Sequence, residues 1–96
     1  MKIKTILITG STSGIGLGIA KAFANEGHNI IFNGLETNGL QIAEAVASEY
    51  NISYMFSSAN MLQPKALYDM VVAATEKFGV IDVLINNAGI QHVSLY

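Results

Sequence analysis

The sequence predicts an α/β protein built on a doubly wound parallel sheet, and three observations carry that expectation. Short β-branched runs alternate with longer helical periods in the order β-α-β-α-β-α-β. The strand runs are almost continuously apolar, as in strands covered on both faces. A glycine-rich segment, Thr9-Gly10-Ser11-Thr12-Ser13-Gly14-Ile15-Gly16, joins the first strand run to the first helical period. Strands separated by helices imply right-handed crossovers, and the strand order expected is 3-2-1-4.

Each element has its own signal. Ile3 to Thr9 reads as the first strand. Ile15, Ile19, Ala22, Phe23 and Glu26 recur at i, i+4, i+7, i+8 and i+11, a helical stripe stopped by Gly27. Asn29 to Asn33 is the second strand. Leu40, Ala43, Val46, Ala47 and Tyr50 form a second helical face, with Asn38 as N-cap and Gln41 three residues on. Ile52 to Ser57 is the third strand. Pro64 suits the first turn of a third helix, where its missing N–H costs nothing. Leu67, Val71, Ala74 and Phe78 supply that helix's buried stripe and Gly79 its end. Val80 to Asn86 is the fourth strand, apolar except for Asp82. Met55, Met61 and Met70 read as core filler, and His28, in the turn between Gly27 and Asn29, as a surface residue.

Composition excludes several classes. Ninety-six residues form a single domain. Hydrophobic residues at 51% and charged residues at 12% are the opposite of a disordered chain. Net charge is −2, with five Lys and no Arg, so a basic footprint for nucleic acid or a membrane surface is missing. Without cysteine, disulfides and cysteine-based metal or redox sites are excluded, and a reducing, cytoplasmic setting is expected. No uncharged apolar run approaches the ~18 residues of a membrane span. The apolar start is too short for a signal peptide and is interrupted by Thr9-Gly10-Ser11.

In the order 3-2-1-4 the fourth strand is an edge, and Val83, Leu84 and Ile85 then expose unpaired backbone beside an apolar face. Ten residues follow Asn86, too few for a crossover of at least ~10–12 residues and a further strand. The expectation is an incomplete domain. Residues 1–96 would be the N-terminal part of one dinucleotide-binding domain, its sheet completed by more of a longer enzyme or by another chain in an oligomer.

In the glycine-rich segment, Gly10 allows a tight turn, Gly14 lets backbone approach a pyrophosphate, and Gly16 permits close helix–sheet contact. The helix start adds free N–H groups and a partial positive charge, and Ser11, Thr12 and Ser13 add hydroxyl donors. With a strand before it and a helix after it, the segment reads as a Rossmann-like nucleotide-binding loop. No Lys-Ser/Thr follows the glycines, which disfavours a P-loop NTPase.

Thr-Gly-x-x-x-Gly-Ile-Gly at 9–16, followed by Asn86-Asn87-Ala88-Gly89 at the end of the fourth strand, resembles the short-chain dehydrogenase/reductases over the whole chain. Within them, Gly10 to Ala20, Asn33-Gly34 and Asn87-Ala88-Gly89-Ile90-Gln91-His92-Val93 are similar to the D-3-hydroxybutyrate dehydrogenases. The resemblance implies an oxidoreductase that uses NAD and a small 3-hydroxy acid, taking 3-hydroxybutyrate to acetoacetate when complete. It implies that Gly10, Thr12, Ser13, Gly14, Ile15 and Gly16 hold the pyrophosphate and ribose. Asn87, Ala88 and Gly89 would line the ribose and nicotinamide side through backbone atoms, and Leu35, Asn60 and Met61 would complete the cofactor set. Gln91 would donate to the substrate carboxylate, its plain alternative being a solvated loop amide; His92 reads as a surface residue.

Two departures from the family's pattern stand out. Asn60 occupies the place of an Asp that commonly meets the adenine amine, and Asn33-Gly34-Leu35 replaces the usual ribose-binding acid. NAD remains the expectation, because a 2′-phosphate needs Arg or Lys and there is no Lys between Lys21 and Lys65. Glu36, twenty residues after Gly16, either bonds the ribose hydroxyls and repels a phosphate or is an exposed acid at a helix start.

The family's chemistry uses a Ser and a Tyr-x-x-x-Lys pair, in which Tyr serves as general acid/base and Lys lowers its pKa. Here Tyr50 is followed at the fourth position by Tyr54, Tyr54 by Ser58 and Tyr68 by Val72, and Tyr96 is the last residue. No catalytic residue is assigned, and the 96 residues alone are expected not to transfer hydride. The competing reading is a non-catalytic dinucleotide-binding or sheet-completing partner subunit.

Overall fold

The structure, a computed structural model, describes residues 2–90. Its elements are β1 (Thr5–Ile8), α1 (Gly14–Asn25), β2 (Asn29–Asn33), α2 (Gly39–Tyr50), β3 (Tyr54–Ser57), α3 (Pro64–Phe78), β4 (Val83–Ile85) and α4 (Asn87–Ile90). The four strands form one parallel sheet in the order β3-β2-β1-β4, as expected. No helix among the described residues is long and apolar enough to cross a membrane.

Alternation along the strands divides the core between two layers. Ile6, Ile8, Ile30 and Phe32 pack with Ala20, Ala24, Ala43 and Val46 of α1 and α2. Leu7 and Ile31 face the other way and pack with Met70 and Ala74 of α3, flanked by Met55 and Met61. The methionines are core filler on that second face.

In α1 and α2 the buried helix faces consist mostly of smaller residues than the predicted stripes. In α1 the inward line is Gly16, Ala20 and Ala24, while Ile15, Ala22 and Glu26 are exposed. In α2, Leu40 is exposed and Gly39, Ala43, Val46 and Ala47 are buried. In α3, Leu67 yields its predicted place to Met70. Helices in contact with a sheet bury what lets them come close, and bulky side chains are displaced to the flanks. Asn38 stands at the N-cap of α2 but makes no side-chain capping bond.

Both ends of the first and fourth strands are shorter than predicted. Ile3 and Val80 are exposed. Asp82 instead closes the start of β4: the Thr5 N–H donates to Asp82 Oδ2 at 2.8 Å and the Asp82 N–H donates to Thr5 O at 2.9 Å. His28 is buried rather than at the surface. The turn after α1 tucks it under the start of β1, where its Nδ1 accepts the Lys4 N–H at 3.0 Å and its ring lies 6.1 Å from that of Phe23.

β4 pairs only with β1, so its outer edge is bare among the described residues, and Leu84 is 63% exposed. The expected edge strand is present.

Candidate functional site

In an open α/β sheet, ligands bind outside the carboxyl ends of the strands, where neighbouring crossovers diverge to opposite faces. That point here is the top of β1, between β2 and β4. A cleft of about 340 Å³ opens there. Its walls are Gly10 and Ser13 after β1, Asn33 to Glu36 at and beyond the end of β2, Ala59 to Leu62 after β3, and Ala88 of α4.

The glycines shape one wall. Gly10 and Gly14 have φ of +61° and +54°, a left-handed backbone that strains any residue with a Cβ. At Gly16 a Cβ would stand 2.1 Å from Gly10 O and 2.6 Å from Asn87 Nδ2, so only glycine lets α1 lie this close to the loop. Asn87 Nδ2 donates to Gly10 O at 3.0 Å, while its buried Oδ1 has no partner among the described residues. Thr9 ties the same corner: its hydroxyl donates to Asn86 Oδ1 at 3.2 Å and accepts the Ala88 N–H at 3.1 Å. The glycine loop and α4 therefore form one braced corner.

Asn33 is the second brace. Its Oδ1 accepts the Gly10 N–H at 3.1 Å, and its Nδ2 donates to Ser57 O at 3.2 Å and Ala59 O at 3.0 Å. One buried amide thus joins the loops after β1, β2 and β3. The hydroxyls of the loop behave differently from the sequence expectation. Ser11 Oγ turns inward to accept the Asn33 N–H at 2.9 Å, and the buried Thr12 donates to Glu36 Oε1. Only Ser13 of the three is exposed and lines the cleft. The Asn33 backbone takes the first of the other two and the Glu36 carboxylate the second.

Ser13 caps α1 in an extended conformation without a side-chain bond to the helix amides, and no acid stands in the first turn. The first amides of a helix lack intrahelical acceptors and carry its positive end. This is the chemistry of an anion site.

Across the cleft, the Thr12 hydroxyl bond, followed by the backbone of Glu36 and the Ser13 hydroxyl, holds the Glu36 carboxyl below its ordinary value of 4.5. A lowered carboxyl pKa contributes stability that is complete above the unfolded value and disappears as pH falls through the folded one. The difference in stability between the wild type and Glu36→Gln should therefore persist at neutral pH and shrink once pH drops below 4.5. Urea midpoints of the two proteins across that range measure it; a constant difference would contradict the Thr12–Glu36 tie.

Six of the residues expected to bind cofactor line the cleft: Gly10, Ser13, Leu35, Asn60, Met61 and Ala88. Asn60 also folds its own loop, since its Oδ1 accepts the Leu62 N–H at 2.9 Å. Gly14 and Ile15 open α1 beside Ser13, with the Ile15 side chain 70% exposed. Thr12, Gly16 and Asn87 stand behind the wall and brace it, and Gly89 belongs to α4. Gln91 and His92 lie outside the described residues. Glu36, Ala59 and Leu62 join the wall; the apolar character of Leu62 gave it no distinguishing mark in the sequence.

The family described as short chain dehydrogenase matches residues 4–95. The D-beta-hydroxybutyrate dehydrogenase of Cupriavidus necator is 48% identical over 91 residues, which cover 95% of this chain and 35% of that protein. The protein of the same name from Rhizobium meliloti is 40% identical over 92 residues, covering 94% and 36%. Among solved structures, L-sorbose reductase from Gluconobacter frateurii, complexed with NADPH and L-sorbose, superposes with a TM-score of 0.85 at 31% identity, over 91% of this chain and 34% of its own. An NAD+-bound xylitol dehydrogenase superposes with a TM-score of 0.79 at 30% identity, over 84% and 31%. The chain spans about a third of the length of the curated relatives it matches.

Proposed function

Because this chain belongs to the short chain dehydrogenase family, we propose that its cleft binds NAD and that the whole protein oxidises D-3-hydroxybutyrate to acetoacetate. The observation that carries this reading is the braced glycine corner, where Gly16 brings the start of α1 against Gly10 and Asn87. Amides with no side-chain cap face an approach that Gly14 leaves open, nothing lying within 4 Å of where its Cβ would be. A pyrophosphate is an anion suited to that donor set.

The residues fit the cofactor. Gly10, Ser13, Gly14 and Ile15 would hold the diphosphate, with Thr12 and Gly16 behind them. Leu35, Asn60 and Met61 would follow the adenosine, and Asn87, Ala88 and Gly89 the nicotinamide side. Bound NAD supplies the acceptor for the hydride that leaves the carbinol carbon of the substrate. The chain's own part is to bind and orient.

The solved relatives carry NADPH in one case and NAD+ in the other, so side chains must make the choice. No Lys lines the cleft among the described residues, and the chain has no Arg, which supports NAD. The substrate is supported by the two hydroxybutyrate dehydrogenases at 48% and 40% identity. No tyrosine here is followed four positions later by lysine. We assign the proton-transfer groups to the remainder of a longer protein, of which residues 1–96 would be the N-terminal part of one dinucleotide-binding domain. The bare edge of β4 is where a further strand, from the same protein or a second chain, would add. Gln91 is our candidate for the substrate carboxylate.

An assay of the whole protein with D-3-hydroxybutyrate and NAD+ should produce NADH absorbance, and the 96 residues alone should produce none. Faster turnover of an unrelated alcohol would overturn the substrate. Turnover by the 96 residues alone would overturn the assignment of the proton-transfer groups.

A further inference from the structure

β3 is the other edge of the sheet, since among the described residues it pairs only with β2. The Ile30 N–H donates to Ser53 O and the Gly34 N–H to Ser57 O, each at 3.3 Å. Backbone groups alternate sides along a strand, so those of Tyr54 and Phe56 point away from β2, along the open edge. An edge of this kind is a template for another strand. β3 itself does little to prevent that: Tyr54–Ser57 contains no charge and no proline, and each of its residues is half-buried.

Protection comes from outside the strand. Lys77, in the last turn of α3, donates from Nζ to Tyr54 O at 2.6 Å. The same ammonium lies 5.7 Å from the centroid of the Tyr54 ring and 5.5 Å from that of Phe78, within the range of cation–π attraction. These contacts hold an exposed lysine across the start of the edge. A strand arriving from outside must break a charge-assisted hydrogen bond to reach Tyr54 O, and it then covers an ammonium that has lost its acceptor. We infer that Lys77 closes the outer edge of β3 against pairing with a second copy of this chain. A second copy is the partner because an antiparallel pair about a two-fold axis sets the same apolar strand against itself, edge to edge. The inference is independent of what the cleft binds.

The test is sedimentation velocity of the whole protein over a concentration series, in the wild type, Lys77→Ala and Lys77→Arg. Circular dichroism establishes that each is folded, and amide hydrogen exchange locates any new contact. Lys77→Ala removes the cation without adding a large apolar group. It should assemble beyond the wild-type species at a concentration at least about tenfold lower, the worth of one hydrogen bond to a charged group. The Phe56 amide, which points out of the sheet, should gain protection as that assembly proceeds. Lys77→Arg keeps a long cationic donor and should match the wild type. A Lys77→Ala protein that assembles no more readily than the wild type, or assembles with the Phe56 amide unprotected, would overturn the inference. So would a Lys77→Arg protein that assembles as Lys77→Ala does.

Discussion

Asn33→Leu should lose about 3–5 kcal/mol of folding stability, a large share of what holds the chain folded. The substitution keeps the branched heavy-atom skeleton and removes every polar atom of the side chain. The Gly10 N–H, Ser57 O and Ala59 O each lose a partner in and around a buried site. An unsatisfied buried group costs about 1–3 kcal/mol, and a domain of this kind has only about 5–15 kcal/mol in total. Urea unfolding followed by circular dichroism measures the loss. A change below about 1 kcal/mol would mean that the three loops are held by something other than this amide.

The second large effect concerns glycine. Gly16→Ala should destabilise the chain by about 1–3 kcal/mol and weaken NAD+ binding by about 10–100-fold, the worth of one charge-assisted hydrogen bond. The added Cβ would stand 2.1 Å from the carbonyl oxygen of Gly10. Neither partner can swing aside, because Gly10 is fixed on one side by Asn33 and on the other by Asn87. The same change two residues along is the control. A Cβ on Gly18 meets nothing within 4 Å, so Gly18→Ala should be stabilising by about 0.5–1 kcal/mol. Calorimetric titration and urea midpoints on the two variants decide the matter; equal behaviour would remove the special role of Gly16.

The fold was legible because its signals are local and repeated. Asn29–Asn33 was bounded correctly by the polar residues at its two ends. The strand order followed from three helices of adequate length between four apolar runs. What escaped the sequence was decided by contacts distant along the chain. The buried face of α1 depends on how near the helix comes to the sheet, so Ala20 and Ala24 outrank the larger Ile15, while in α3 Met70 rather than Leu67 turns inward. The burial of His28 is not legible locally, because a turn between Gly27 and Asn29 gives no hint that the Lys4 N–H will donate to its ring.

The candidate site divides in the same way. Gly10, Gly14 and Gly16 announce themselves by spacing, since only glycine tolerates what each position demands. Asn33 appeared in the sequence as a missing acid and is in the structure a cross-link of three loops. Ser11 and Thr12 looked like donors for a ligand, but their hydroxyls are taken by Asn33 and Glu36 from another strand's end. No spacing rule reaches across such pairs.

The central claim is that the start of α1, at the glycine corner, receives a dinucleotide's diphosphate. Amide chemical-shift mapping during titration with NAD+ tests it most directly. Ser13, Gly14 and Ile15 should shift first and furthest, with Leu35, Asn60 and Ala88 moving at the same nucleotide concentration. Saturable shifts confined to another face of the sheet, with those amides unmoved, would contradict it.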